Sequence, residues 1–199
     1  RRRHTRYGTV TGVQTCALPI YAEGAMEYYD KAIKADSSYA PAYYNKGVLL
    51  DKKLEHEKAL EVLDEAIRID PKKPNPRFYK GIVLGKTGKH ELALNCFENV
   101  YRANPQHLDS LFHKGIELAE LERHEKAIEV FDKILSKHEG NINVVYAKAR
   151  SKAALNHVEE AFALLNVAIK NSKTIKLWAR KEKIFEKFYD DPEFQKMVK

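Results

Sequence analysis

A repeat of 34 residues constrains this chain more than any other feature of it. Gly47, Gly81 and Gly115 stand 34 residues apart, and Ala149 takes the next step. Ala25, Ala59, Ala93, Ala127 and Ala161 form a second ladder with the same step. A third runs Tyr29, Leu63, Phe97, Phe131, Leu165, and a fourth Ala32, Ala66, Val100, Ile134, Ala168. Pro71 and Pro105 close two units, with Ser37, Glu139 and Lys173 at the same phase. Such a period marks a stack of small supersecondary units, none of which buries its apolar face alone.

Each unit reads as two helices. Tyr43, Gly47 and Leu50 recur at i, i+4, i+7, one helical face, and Ala59, Leu63 and Ala66 do the same in the second helix. The residue at the Gly phase must be small so that the paired helices can approach, and the Ala phase answers it from the other helix. Pro41, Pro74 and Pro76 fall at helix starts, where a missing N–H costs nothing. Asn75 before Pro76 is expected as an N-cap. Gly140 and Asn141 can turn the chain where Pro is absent.

The segment Ala42 to Pro71, AYYNKGVLL…EKALEVLDEAIRIDP, resembles the tetratricopeptide repeat family nearly throughout. Its motif asks for an aromatic or large residue, a small one four later, another large one three further, then Ala, aromatic, Ala and Pro. The resemblance covers Tyr21 to about Lys173, with departures at Arg77 and Lys152, where large apolar residues are expected. It implies an all-α fold, a right-handed superhelical solenoid of antiparallel helix pairs with C-terminal capping helices. The expected layout is a half repeat over 21–39, second helix only, then repeats at 40–73, 74–107, 108–141 and 142–173, and a cap over 174–199. In the cap, one helix from Thr174 to Tyr189 is expected to carry Leu177, Trp178, Ile184, Phe185 and Phe188 mostly on one side. A short helix should follow, with Asp191 as N-cap and Pro192 at its first position.

Residues 1–20 read differently, with four Arg, no acid and no helical period. Residues 10–20, VTGVQTCALPI, resemble codon for codon the translation of a common sequencing-library adapter. The expectation is a non-native or disordered arm fused to a fragment whose native reading starts near Tyr21. Setting the arm aside lowers 35 Lys and Arg against 28 acids to 31 against 28, so the net charge of +7 shrinks to +3. It also leaves one thiol, Cys96, which points to a reducing, cytoplasmic setting. No run of about 18 uncharged apolar residues exists, so no bilayer span and no membrane partner are expected.

No catalytic constellation stands out, and the chain is read as not an enzyme, without cofactor, metal or small-molecule substrate. The stretch Gly81 to Thr87 nearly spells a phosphate-binding loop, but it has three residues between its glycines rather than four and lies inside a helix. His56, His90 and His124 share one phase in the turn between paired helices. Stacked units about 10 Å apart cannot place three such imidazoles on one metal at about 2 Å.

In this family the first helices line a concave groove. The phase after the motif aromatic gives Tyr44, Phe78, Phe112 and Tyr146, and four residues on stand Val48, Ile82, Ile116 and Arg150. Positions i and i+4 share a face, so these eight form an apolar stripe ending in one Arg. It reads equally as a groove for a peptide or as packing between neighbouring repeats. Asn45 and Arg150 alone cannot make the carboxylate clamp of some family members. Lys46, Lys80, Lys114 and Lys148 form a basic ladder at another phase, and the region from Lys170 to Lys187 is basic. The leading expectation is a non-enzymatic protein-interaction scaffold holding a peptide or protein segment. The alternatives are nucleic-acid or polyanion binding through the lysine ladder and basic cap, or a repeat arm of a larger, possibly enzymatic, protein.

Overall fold

The computed structural model describes residues 19–199, with side chains from residue 24. Most of the arm expected to be non-native lies outside the described residues. Among the described residues all regular structure is helical, and the chain divides into two compact units after Val100.

The first unit holds α1 (Pro19–Ala35), α2 (Ala40–Lys52), α3 (His56–Ile69), α4 (Pro74–Lys86) and most of α5 (His90–Ala103). Consecutive helices pack on one another from α1 to α4. Pro41 lies in the first turn of α2, and Pro74 opens α4. Asn75 is therefore not the N-cap: Lys73 holds that position, because Pro74 at the first helical place already has the φ a helix needs. The Gly phase works by contact. A Cβ on Gly47 would sit 2.7 Å from Leu63 Cγ, and one on Gly81 would sit 2.7 Å from Phe97 Cε1. Leu63 and Phe97 are fully buried, as are Ala59, Ala66 and Ala93, so the second helix of each pair supplies the core facing the glycine.

The turns inside the pairs share a feature that composition hides. Leu54, Gly88, Glu122 and Asn156, one per repeat at the 34-residue step, all have positive φ, from 58° to 78°. The backbone N–H three residues past each of these first helices bonds back across the end, as in Glu55 N–H to Leu50 C=O and Lys89 N–H to Leu84 C=O, both 2.9 Å. These bonds satisfy the last carbonyls and require one left-handed residue.

The second unit continues with α6 (Leu108–Glu120), α7 (His124–Leu135), α8 (Ile142–Ala154) and α9 (Val158–Asn171). A Cβ on Gly115 would collide with the Phe131 ring. Asn141 caps α8, accepting from Val144 N–H, and the His107 ring caps α6, accepting from Ser110 N–H at 3.1 Å. The C-terminal segment folds onto α8 and α9 as α10 (Lys173–Ala179), a 3-10 helix (Lys183–Phe188) and α11 (Pro192–Val198). Asp191 caps α11 through Glu193 and Phe194 N–H.

One continuous helix from Thr174 to Tyr189 does not form. Ile175 and Ala179 point inward, and the same face would next bury Glu182, Lys183 and Glu186. Burying unpaired charge is costly, so the chain breaks and re-registers to put Phe185 and Phe188 inside. Leu177 and Trp178 are left exposed. The resulting cluster joins Tyr146, Phe162 and Leu165 to Ile175, Phe185, Phe194 and Val198. Arg180 holds its far end, its guanidinium donating to Val198 C=O and, at 2.7 Å, to Lys199 C=O.

Candidate functional site

The eight residues of the apolar stripe do not share one environment. In the first unit Tyr44, Val48, Phe78 and Ile82 are half-buried. Tyr44 meets Tyr79 edge-on, with ring centroids 6.2 Å apart, and burial raises its phenol pKa. Phe78 meets the core ring Phe97 edge-on at 5.5 Å, and Ile82 packs beside it. Each of these side chains thus gives one side to the repeat interior and keeps another partly open. In the second unit Phe112 and Ile116 are also half-buried, with Phe112 at 6.2 Å from the Phe131 ring.

Tyr146 departs from the expectation of an open groove residue. It is 6% exposed, with Trp178 at 6.0 Å and Phe185 at 6.2 Å from its ring centroid. Its hydroxyl donates to Glu182 Oε2 at 2.7 Å. Burial, then the Glu182 charge, pushes its pKa far up, so it stays a neutral donor. The C-terminal segment covers this ring because Phe185 and Phe188 need a surface, and the last repeat's first helix supplies one. Arg150 is half-buried and paired, 3.0 Å from Glu182 and 3.7 Å from Glu120.

The lysine ladder is largely spoken for. Lys46 pairs with Asp30 at 2.6 Å, Lys80 with Asp64 and Lys148 with Asp132, both at 2.5 Å. Each acid lies 16 residues before its lysine. These lysines tie a first helix to the second helix of the preceding repeat and are not offered as free cations to a phosphate backbone. The acidic ladder that answers them was legible at constant spacing but is not singled out by the basic pattern alone.

A second arrangement that the stripe does not point to is built on Asp51, a buried carboxylate 2% exposed. Tyr79 donates to its Oδ2 at 2.7 Å, Lys86 Nζ reaches the same oxygen at 2.5 Å, and His56 Nδ1 stands 2.9 Å from Oδ1. Burial and then Asp51 raise the Tyr79 pKa well above its usual range. A signal existed: Asp51 occupies a phase that is Gly85, Ala119 and Ala153 in the other repeats. His56 and His124 are thus tied locally, the latter with Nε2 at 3.1 Å from Glu122. Among the described residues no group of three or more His, Cys, Asp and Glu is placed to hold a metal ion. The Cys96 thiol is half-buried, and burial raises its pKa, which keeps it protonated and unreactive. Gly81 to Lys86 lies inside α4, where helix amides are already bonded and cannot cradle a phosphate.

Residues 40–73 and 80–142 match family models described as tetratricopeptide repeat. Tetratricopeptide repeats are therefore present in this chain, and its fold is the all-α tetratricopeptide-repeat solenoid. The protein is similar in structure to YrrB, described as a TPR protein with an unusual peptide-binding site, at 26% identity and a TM-score of 0.69, covering 82% of this chain and 85% of that one. It is similar to MamA at 19% identity and 0.70, covering 77% and 90%. A tetratricopeptide repeat protein from Parabacteroides merdae ATCC 43184 gives 18% identity and 0.75, covering 82% and 66%. A sequence comparison with curated proteins gives no match. Among the described residues no helix is long and apolar enough to cross a membrane.

Proposed function

We propose that this protein is a non-enzymatic, cytoplasmic scaffold that binds a peptide or protein segment on the concave face made by the first helices of its repeats. The observation that carries the reading is the half-open state of Tyr44, Val48, Phe78 and Ile82 in one unit and of Phe112 and Ile116 in the other. Rings held on one side by the core and open on the other are rigid anchors that lose little entropy on binding. The likeness to YrrB, whose description names a peptide-binding site, points the same way. The units of this scaffold are taken as a half repeat over 21–39, four repeats over 40–173 and a cap over 174–199. Polyanion binding through the ladder loses support from the Lys46, Lys80 and Lys148 pairs.

The test is a peptide selected on the whole chain from a random display library, then titrated against Phe78→Ala and Phe112→Ala. A buried aromatic anchor costs about 2 kcal/mol or more on truncation, so each variant should weaken binding well over tenfold while helicity is kept. Unchanged affinity in both variants would overturn the groove reading. Loss of helicity instead would assign these rings to the core.

A further inference from the structure

The outer face of α10 carries apolar side chains that the fold does not use. Ile175 and Ala179 turn inward and are fully buried in the C-terminal cluster. On the outer side Leu177 is 55% exposed, and beside it Trp178 is 39% exposed, with part of its ring against Tyr146. A helix that only capped the solenoid would be polar on its solvent face. The cations around this pair are uncommitted as well. Lys173 stands one turn before Leu177 and Lys181 one turn after it, where the Lys181 N–H bonds to Trp178 C=O at 2.9 Å and continues the turn. Both lysines are exposed, as is Lys170 in the last turn of α9. Among the described residues no acid pairs with Lys170, Lys173, Lys176 or Lys181, whereas Lys46, Lys80 and Lys148 of the repeats are each paired. From Lys170 to Lys187 seven basic residues stand against Glu182 and Glu186, and Glu182 is already engaged by Tyr146 and Arg150.

We propose that this face docks on a membrane surface bearing anionic lipids, with Leu177 and Trp178 dipped into the interface and the lysines at the level of the phosphates. The surface is separate from the groove and does not rest on the peptide-binding reading. The expectation of no membrane partner rested on the absence of a bilayer span. Attachment from one side needs none. Three features select lipid together. An indole ring settles at the headgroup level, its body toward the acyl chains and its N–H in the wet layer. Leu177 is aliphatic and gains from acyl chains, but not from stacking on a nucleic-acid base or from a carboxylate. The lysine stems run along the apolar pair and carry their ammonium groups up to the phosphates. A stable protein interface takes about 20–30 residues a side. One turn of helix with a lysine on either side is smaller than that, and a fluid surface moulds to it without a fitted cleft.

Trp178 is the one tryptophan of the chain and reports on its own surroundings. The probe is a vesicle of equal parts phosphatidylcholine and phosphatidylserine, titrated into the whole chain. Saturable binding is expected, with a blue shift of the Trp178 emission and quenching by lipids brominated on the acyl chain. Vesicles of phosphatidylcholine alone should bind far more weakly. Each lysine near an anionic surface contributes about fivefold in affinity, so Lys173→Gln combined with Lys181→Gln should weaken binding about 25-fold. Leu177→Gln, at an exposed position, should weaken it at least about fivefold with helicity unchanged. Residues 1–18 hold four Arg, and both variants keep them. Binding that survives in both variants would therefore come from elsewhere and would overturn the inference. The same holds for no binding to the mixed vesicles, or for binding that leaves the Trp178 emission unchanged. Soluble poly-glutamate that binds as tightly as the vesicles, and with the same loss in Leu177→Gln, would assign the patch to an acidic protein instead.

Discussion

Leu54 carries a side chain in a conformation that L-residues avoid. Its φ is 65°, it is 69% exposed, and it holds the place that Gly88 takes one repeat later. A left-handed residue with a Cβ costs about 1–2 kcal/mol, of which glycine's extra chain entropy returns about 0.5–1. Leu54→Gly should therefore raise stability by up to about 1 kcal/mol, and Gly88→Ala should lower it by a similar amount. Urea midpoints read at constant m check both. His113 lies within α6. Burial, with His107 second, lowers its pKa from 6.5 to about 4. The folded state then binds fewer protons than the unfolded state between those values, so the contribution is complete above pH 6.5 and is lost as pH falls toward 4. The ceiling is about 3 kcal/mol, at 1.36 kcal/mol per unit. Denaturant titrations from pH 7 to 4 should show a shallower acid-side loss in His113→Gln than in the parent.

Among the elements, the C-terminal segment is the one whose removal tells most. It covers Tyr146, Phe162 and Leu165, so a chain ending at residue 173 would present these apolar side chains to water. A solenoid end without its cap aggregates, and such a chain should run as oligomers on size exclusion and melt lower. A monomer with unchanged melting would contradict this. Phe185→Ala, which empties a fully buried place, should cost about 3–5 kcal/mol without removing the segment. The helix pairs were legible in the sequence because one apolar face per helix repeats in register, from Gly47 facing Leu63 to Gly115 facing Phe131. The break after Ala179 was not, since Leu177, Trp178 and Ile184 keep a helical rhythm and only the charges at 182, 183 and 186 argue against it. The left-handed turns escaped notice because glycine marks one of four. Of the candidate site, the stripe could be read but not its exposure: whether Tyr146 is covered depends on Trp178 and Phe185, 32 and 39 residues further along the chain, whose docking no local pattern encodes.

For the whole molecule, the two functional readings differ in their response to salt. A scaffold that grips through Phe78 and Phe112 should bind its peptide with a shallow dependence on salt, whereas several phosphate contacts would give a steep one. Titrations at 50 and 200 mM salt separate them, and a fall of about a thousandfold would favour the polyanion. The ion pairs within each unit have one more consequence, in the order of synthesis. Lys46, Lys80 and Lys148 each reach back to an acid that left the ribosome 16 residues earlier. None of these three lysines has to wait for a later repeat to supply its partner, and the loop to be closed is short. The first helices that carry these three lysines can each be latched to the helix before them as they emerge. Assembly can then run from the N-terminal side in step with translation, and the segment that covers Tyr146, Phe162 and Leu165 emerges after the helices it packs on.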